Sequence, residues 1–103
     1  MLLKTSIGLA TASLLLAAVP ALPASAAGSR VAVYDDYFRP RVKTVAKGTR
    51  VVWVNFGDSP HTVTTRGWSR NINPGQRYAR VVRGGFRYHC RYHSDMTGRI
   101  AIG

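Results

Sequence analysis

Beyond residue 27, no window longer than ten residues carries the stripe of apolar positions that an amphipathic helix needs. Short β-branched and aromatic runs recur instead, separated by Gly, Pro, Asn and Asp. This punctuation predicts an all-β fold, an antiparallel sandwich or barrel of about seven strands. Strands are expected over 30–34, 41–46, 49–56, 61–65, 76–82, 85–90 and 99–102. Their breaks have turn chemistry: Lys47-Gly48 is a tight turn, 57–60 is a loop, and Asn73-Pro74-Gly75 suits a type II turn. No internal repeat, linker or second domain is visible.

Successive side chains of a strand point to opposite faces, so strand phase sorts the residues. In 85–90, Phe86, Tyr88 and Cys90 share one face, while Arg87 and His89 share the other with Arg91. The aromatic face is expected to be the buried one, which turns Cys90 inward and His89 to solvent. In 61–65, His61 and Val63 face inward and Thr62 and Thr64 face away. The segment 49–56 is apolar on both faces and reads as a covered central strand, with Trp53 in the core. Asp35 and Asp36 are adjacent, so they point apart and read as a solvated edge.

The first 27 residues read as a secretory leader, with Lys4 before a small apolar run (7–19), a break at Pro20 and Pro23, and a small-residue site at Ala24-Ser25-Ala26. The apolar run is short against the ~20 residues that span a bilayer. The expectation is an exported protein, periplasmic or extracellular. Residues 28–103 then form one small domain, whose modest core calls for a staple. A single Cys cannot make an internal disulfide, so in an oxidising compartment a metal is the staple it can supply. Without Lys4 the chain holds 14 Lys and Arg against 4 Asp, a net charge near +10. Nucleic acid is the usual partner of such a charge in the cytosol, but an exported chain rarely meets it. The expected partners are an acidic protein or the anionic surface of the cell envelope.

Near the C-terminus, Cys90-Arg91-Tyr92-His93-Ser94-Asp95-Met96 sets a thiol, an imidazole and a thioether three residues apart. His61, upstream in a second apolar strand, is the remaining candidate. Cys, two His and a distant Met form the ligand set of a type 1 (blue) copper site. The thioether is the discriminating member, since it suits soft copper(I) and serves zinc or calcium poorly. A thiolate and two imidazoles make a trigonal set that both copper oxidation states accept, which suits one-electron transfer. All four positions would be filled by the protein, leaving none open for a substrate, so an enzyme is not expected.

These residues resemble a known family, the cupredoxins, and within it the small plastocyanin- and amicyanin-like proteins. The likeness is carried by Phe38-Arg39-Pro40, Lys47-Gly48-Thr49, Val51-Val52-Trp53-Val54-Asn55, Pro60-His61-Thr62-Val63 and the run from Tyr88 to Gly98. It implies a shortened Greek-key β-sandwich, monomeric, with one copper ion bound by His61, Cys90, His93 and axial Met96. It also implies that electrons leave through the exposed edge of His93. The family often carries Asn directly after the first His, tying the two ligand loops together, where this chain has Thr62. Arg91 and Tyr92 predict a basic rim suited to an acidic redox partner. The alternative functions are an extracytoplasmic copper carrier or scavenger, and a cationic envelope-binding module with structural copper.

Overall fold

The computed structural model describes residues 29–103. The expected leader, 1–27, lies outside the described residues. Nine strands are present among those described: β1 (Arg30–Val33), β2 (Phe38–Arg39), β3 (Val42–Val45), β4 (Thr49–Asn55), β5 (His61–Thr64), β6 (Ser69–Ile72), β7 (Arg77–Val82), β8 (Phe86–Cys90) and β9 (His93–Ile102). One sheet has the order β2-β1-β4-β7 and the other β3-β9-β8-β5-β6. A single core lies between them, with Val31, Val33, Trp53 and Val82 from the first sheet and Val63, Ile72, Tyr88, Cys90, Met96 and Ile100 from the second. The molecule is an all-β sandwich.

Each sheet contains one parallel pair, β1 with β4 and β3 with β9, where the sequence suggested antiparallel pairing throughout. Connectivity is the reason. Between β1 and β4 the chain crosses to the second sheet as β3, so it returns beside β1 running the same way. Alternation and turn residues report which face a side chain takes, not the direction of its neighbouring strand. The two unanticipated strands lack the apolar pattern. β2 is two residues long, and Ser69-Arg70-Asn71-Ile72 forms a polar edge strand because β5 supplies its hydrogen-bonding partners. The last strand begins at His93 rather than near Arg99.

The anticipated turns form. Gln76 donates its N–H to the Asn73 carbonyl at 2.9 Å around Gly75 at φ 81°, the left-handed position that a type II turn gives to glycine. Trp53 is fully buried. Its ring meets Tyr88 edge-on at 5.6 Å and stacks on Tyr78 at 5.9 Å, and Phe38 meets Tyr88 edge-on at 4.7 Å. Removing such a ring from a core costs about 3–5 kcal/mol. Tyr88 lies opposite Gly98 on β9, and a Cβ at Gly98 would fall onto the Tyr88 ring. This close fit fastens β9 to β8 just beyond the segment that carries His93 and Met96. It leaves the Tyr88 hydroxyl buried without a well-formed hydrogen bond, and burial pushes the phenol up to about 12.

Candidate metal centre

Cys90 is the last residue of β8, and the phase of that strand (Tyr88 and Cys90 buried, Arg87 and His89 exposed) turns the thiol into the core as expected. Two residues, Arg91 and Tyr92, reverse the chain, and His93 opens β9 directly opposite Cys90. His61 opens β5, fully buried. The Cys90 Sγ lies 3.6 Å from His61 Nδ1 and 3.7 Å from His93 Nδ1, with the imidazole centroids 5.2 Å apart. The three donor atoms lie within 4.8 Å of one another. Among the described residues they form the one group of His, Cys, Asp or Glu arranged to hold a metal ion.

These separations fit those of donors around one bound metal ion. An ion about 2.3 Å from sulfur and about 2.0 Å from each nitrogen, with angles near 120°, has sulfur–nitrogen edges of about 3.7 Å. Met96 is 1% exposed and belongs to the same core. The β8–β9 ladder pairs Cys90 with His93 and His89 with Thr97, so residues 94–96 have no partner on β8. The chain bulges there, and Met96 is the bulge residue whose side chain is buried.

His61 is held by a network that sequence reading did not anticipate. Its Nε2 lies 3.0 Å from Oδ1 of Asp35, in the loop after β1. The same carboxylate accepts the backbone N–H of Asp58 at 2.9 Å and of Ser59 at 3.1 Å. With a carboxylate as acceptor, Nε2 carries the proton and Nδ1 keeps its lone pair toward the sulfur, the tautomer a metal requires. The bond to His61, followed by that from Asp58, holds the Asp35 carboxyl below the usual carboxylate range. The expectation of a solvated Asp35-Asp36 edge is therefore corrected for Asp35. The contact spans 26 residues and two loops, and no local pattern encodes it. Gly57 makes room for it, because a Cβ there would collide with the Asp35 carboxylate.

Asn55, buried at the end of β4, completes the loop. Its side-chain amide donates to the carbonyls of Ser59 and Ile72, both at 2.9 Å, and its Oδ1 accepts the N–H of Gly57 at 2.8 Å. The tie between the two ligand segments, expected from the resemblance to need Asn in place of Thr62, is made here by Thr62 itself. Its hydroxyl accepts the N–H of Arg91 at 2.8 Å and continues to Thr64 at 2.8 Å and Ser69 at 2.7 Å. Thr62 and Thr64 are consequently buried, although they face away from His61. His89 is exposed and takes no part in the cluster.

No protein-family model matches the chain, and no curated protein does. Solved structures do. A purple cupredoxin from Nitrosopumilus maritimus superposes with a TM-score of 0.63 at 18% identity, over 72% of this chain and 98% of that one. Amicyanin from Paracoccus versutus superposes at 0.65 and 24%, over 80% and 85%. An amicyanin with a proline-to-alanine mutation, in its oxidised state, gives 0.66 and 21%, over 80% and 86%.

The fold is that of the cupredoxins.

Within this cupredoxin fold, the donor cluster lies where β5, β8 and β9 adjoin at the ends that carry His61, Cys90 and His93. His93 is only half-buried, and Tyr92 beside it is 56% exposed, so the cluster reaches the surface on this side.

Proposed function

We propose that this chain is an exported type 1 copper protein that carries one electron at a time. His61 Nδ1, Cys90 Sγ and His93 Nδ1 would hold the copper, with the buried Met96 as the further, weaker donor. The observation that carries this reading is the pair of sulfur–nitrogen separations, 3.6 and 3.7 Å, around a fully buried thiol. A bound copper would supply the reversible Cu(I)/Cu(II) change. The chain's own residues hold the donors still. Asp35 fixes the tautomer of His61, Asn55 fixes the loop that delivers it, and the bulge with the Tyr88–Gly98 contact fixes β9. Donors held in one place need little rearrangement when the charge at the centre changes, which favours electron exchange. Four protein donors leave no position for a substrate, which supports a carrier rather than an enzyme.

The half-buried His93 is the exit for the electron, and the exposed Tyr92 and Arg91 around it form a rim suited to an acidic redox partner. Rim charges of this kind chiefly set encounter rate and its salt dependence. The leader-like residues 1–27 support export to the periplasm or beyond.

The test is an absorption spectrum of the purified protein with Cu(II). An intense blue thiolate-to-copper band, lost in Cys90→Ser, is expected. A colourless complex whose metal affinity ignores Cys90→Ser would overturn the reading. Copper retained through repeated reduction and reoxidation separates the shuttle from a copper carrier, which must release its metal.

A further inference from the structure

Independently of the metal, the outward face of the second sheet carries a cleft of about 780 Å³ walled by Arg41, Arg66, Arg87, Arg99, His89 and Thr97. These residues are scattered in sequence, and topology gathers them. Arg87 and His89 point outward from β8 because Tyr88 and Cys90 point inward, and the β8–β9 register sets Arg87 opposite Arg99 and His89 opposite Thr97. Arg41 arrives just before β3, which pairs with β9, and Arg66 from the bend between β5 and β6. Cross-strand partners lie about 4.5–5.5 Å apart at Cβ, where like charges destabilise a sheet. The fold nevertheless opposes two guanidiniums there and adds two more at the margins.

Among the described residues, no carboxylate pairs with these arginines. The cleft is lined by no carboxylate, and Asp35, which pairs with His61, lies outside it. Asp36 and Asp95 line a neighbouring hollow that shares Arg41 as a wall, and neither pairs with it. Arg41 donates to the Thr97 hydroxyl at 3.0 Å, a neutral partner. Arginines of the other face are engaged differently. Arg80 lies over the Trp68 ring at 4.1 Å and donates to the Tyr78 hydroxyl, and Arg70 lies over Tyr78 at 5.7 Å.

We propose that this cleft binds a ligand carrying more than one phosphate group, gripped between the Arg87–Arg99 pair and the flanking Arg41 and Arg66. Guanidinium forks match phosphate oxygens bidentately, and arginine, rather than lysine, is the residue suited to that recognition. Four cations and a hollow of this volume exceed the needs of one orthophosphate. The concavity favours a discrete phosphate group over the flat, diffuse adhesion of a charged face.

The experiment is calorimetric titration of the copper-loaded protein with inorganic tripolyphosphate at about 0.15 M salt, close to physiological screening. Saturable one-to-one binding is expected. Arg87→Gln/Arg99→Gln should weaken it about tenfold or more, the scale of lost charge-assisted hydrogen bonds, with the blue band unchanged. Arg41→Gln/Arg66→Gln, outside the strands, gives the same reading should the first pair fold poorly. The control Arg50→Gln/Arg77→Gln, on the exposed face of the other sheet, should bind as the wild type does. A parallel titration with phosphatidylcholine vesicles, with and without cardiolipin, whose headgroup carries two phosphates, separates the phosphate sources. Vesicle binding lost in the cleft variants but kept in the control assigns the phosphate to a lipid headgroup. Equal weakening in cleft and control variants, or no saturable binding to either probe, overturns the proposal.

Discussion

His61 and His93 approach the same sulfur at almost the same distance, yet they are held by different physics. The segment delivering His61 is fixed by polar contacts, since Asn55 and Asp35 together engage Gly57, Asp58, Ser59 and the imidazole itself. The segment carrying His93 is a two-residue turn. It is tied by one bond from the Arg91 N–H to the Thr62 hydroxyl and one exposed bond from Tyr92 to Asn71 at 2.9 Å. Beyond it, β9 is secured by packing of Tyr88 against Gly98, with a hydroxyl that has no well-formed partner. The difference teaches a division of labour. A buried donor can be locked by a hydrogen-bond network, whereas a donor that must reach the surface is positioned by a short turn and the close packing of the strand that follows.

The largest effect is expected from breaking the network on the His61 side. Asn55→Ala strands the Gly57 N–H and the Ser59 and Ile72 carbonyls, and should cost about 3–4 kcal/mol of stability in denaturant unfolding. A loss under about 1 kcal/mol would mean that the loop does not depend on it.

On the packing side, alkaline pH is the probe. The Tyr88 phenol ionises near 10.0 in an unfolded chain and at about 12 when folded, so the native state retains the proton longer. That contribution is full below pH 10 and is lost as pH rises through 12, about 3 kcal/mol in all. Tyr88→Phe should flatten the alkaline decline without costing stability at neutral pH, since it removes a buried hydroxyl that lacks a good partner.

Asp35→Ala comes next. Removing the acceptor that orients a metal-bound imidazole lowers metal affinity by roughly 10- to 100-fold, measurable by competition with a chelator. Because the Asp35 carboxyl is held below its ordinary value, its contribution is present above that value and lost as pH falls through the depressed one. Thermal stabilities of metal-free wild type and variant should therefore converge in acid.

The smallest effect belongs to the tie between the two sides. Thr62→Val leaves the Arg91 N–H unpaired and should cost about 1 kcal/mol. Hydrogen exchange should show the loosening at residues 91–93 and not at 57–61. Equal loosening on both sides would erase the distinction drawn between them.

The Cys90–His93 half of the cluster was legible in the sequence because its signal is local. A period of two turns Cys90 inward and His89 outward, and three-residue spacing across a turn returns His93 to the sulfur. Trp53 was legible as core because its strand is apolar on both faces. Asp35 was hidden because a loop carboxylate beside another Asp resembles any solvated edge. The polar strand β6 was hidden because its reason to exist is the neighbour that pairs with it. Thr62 was recognised as a substitution in the expected tie, but only the fold shows that its hydroxyl makes that tie.

By itself, then, the chain of residues determined the all-β class, the inward and outward faces of the principal strands and the nearness of His93 to Cys90, because short-range periodicity and turn chemistry decide those. Tertiary structure alone decided the two parallel pairings, the Asp35–His61 contact and the convergence of Arg41, Arg66, Arg87 and Arg99 on one cleft. Those depend on which distant strands become neighbours, and that follows from burying a shared core rather than from any pattern along the backbone.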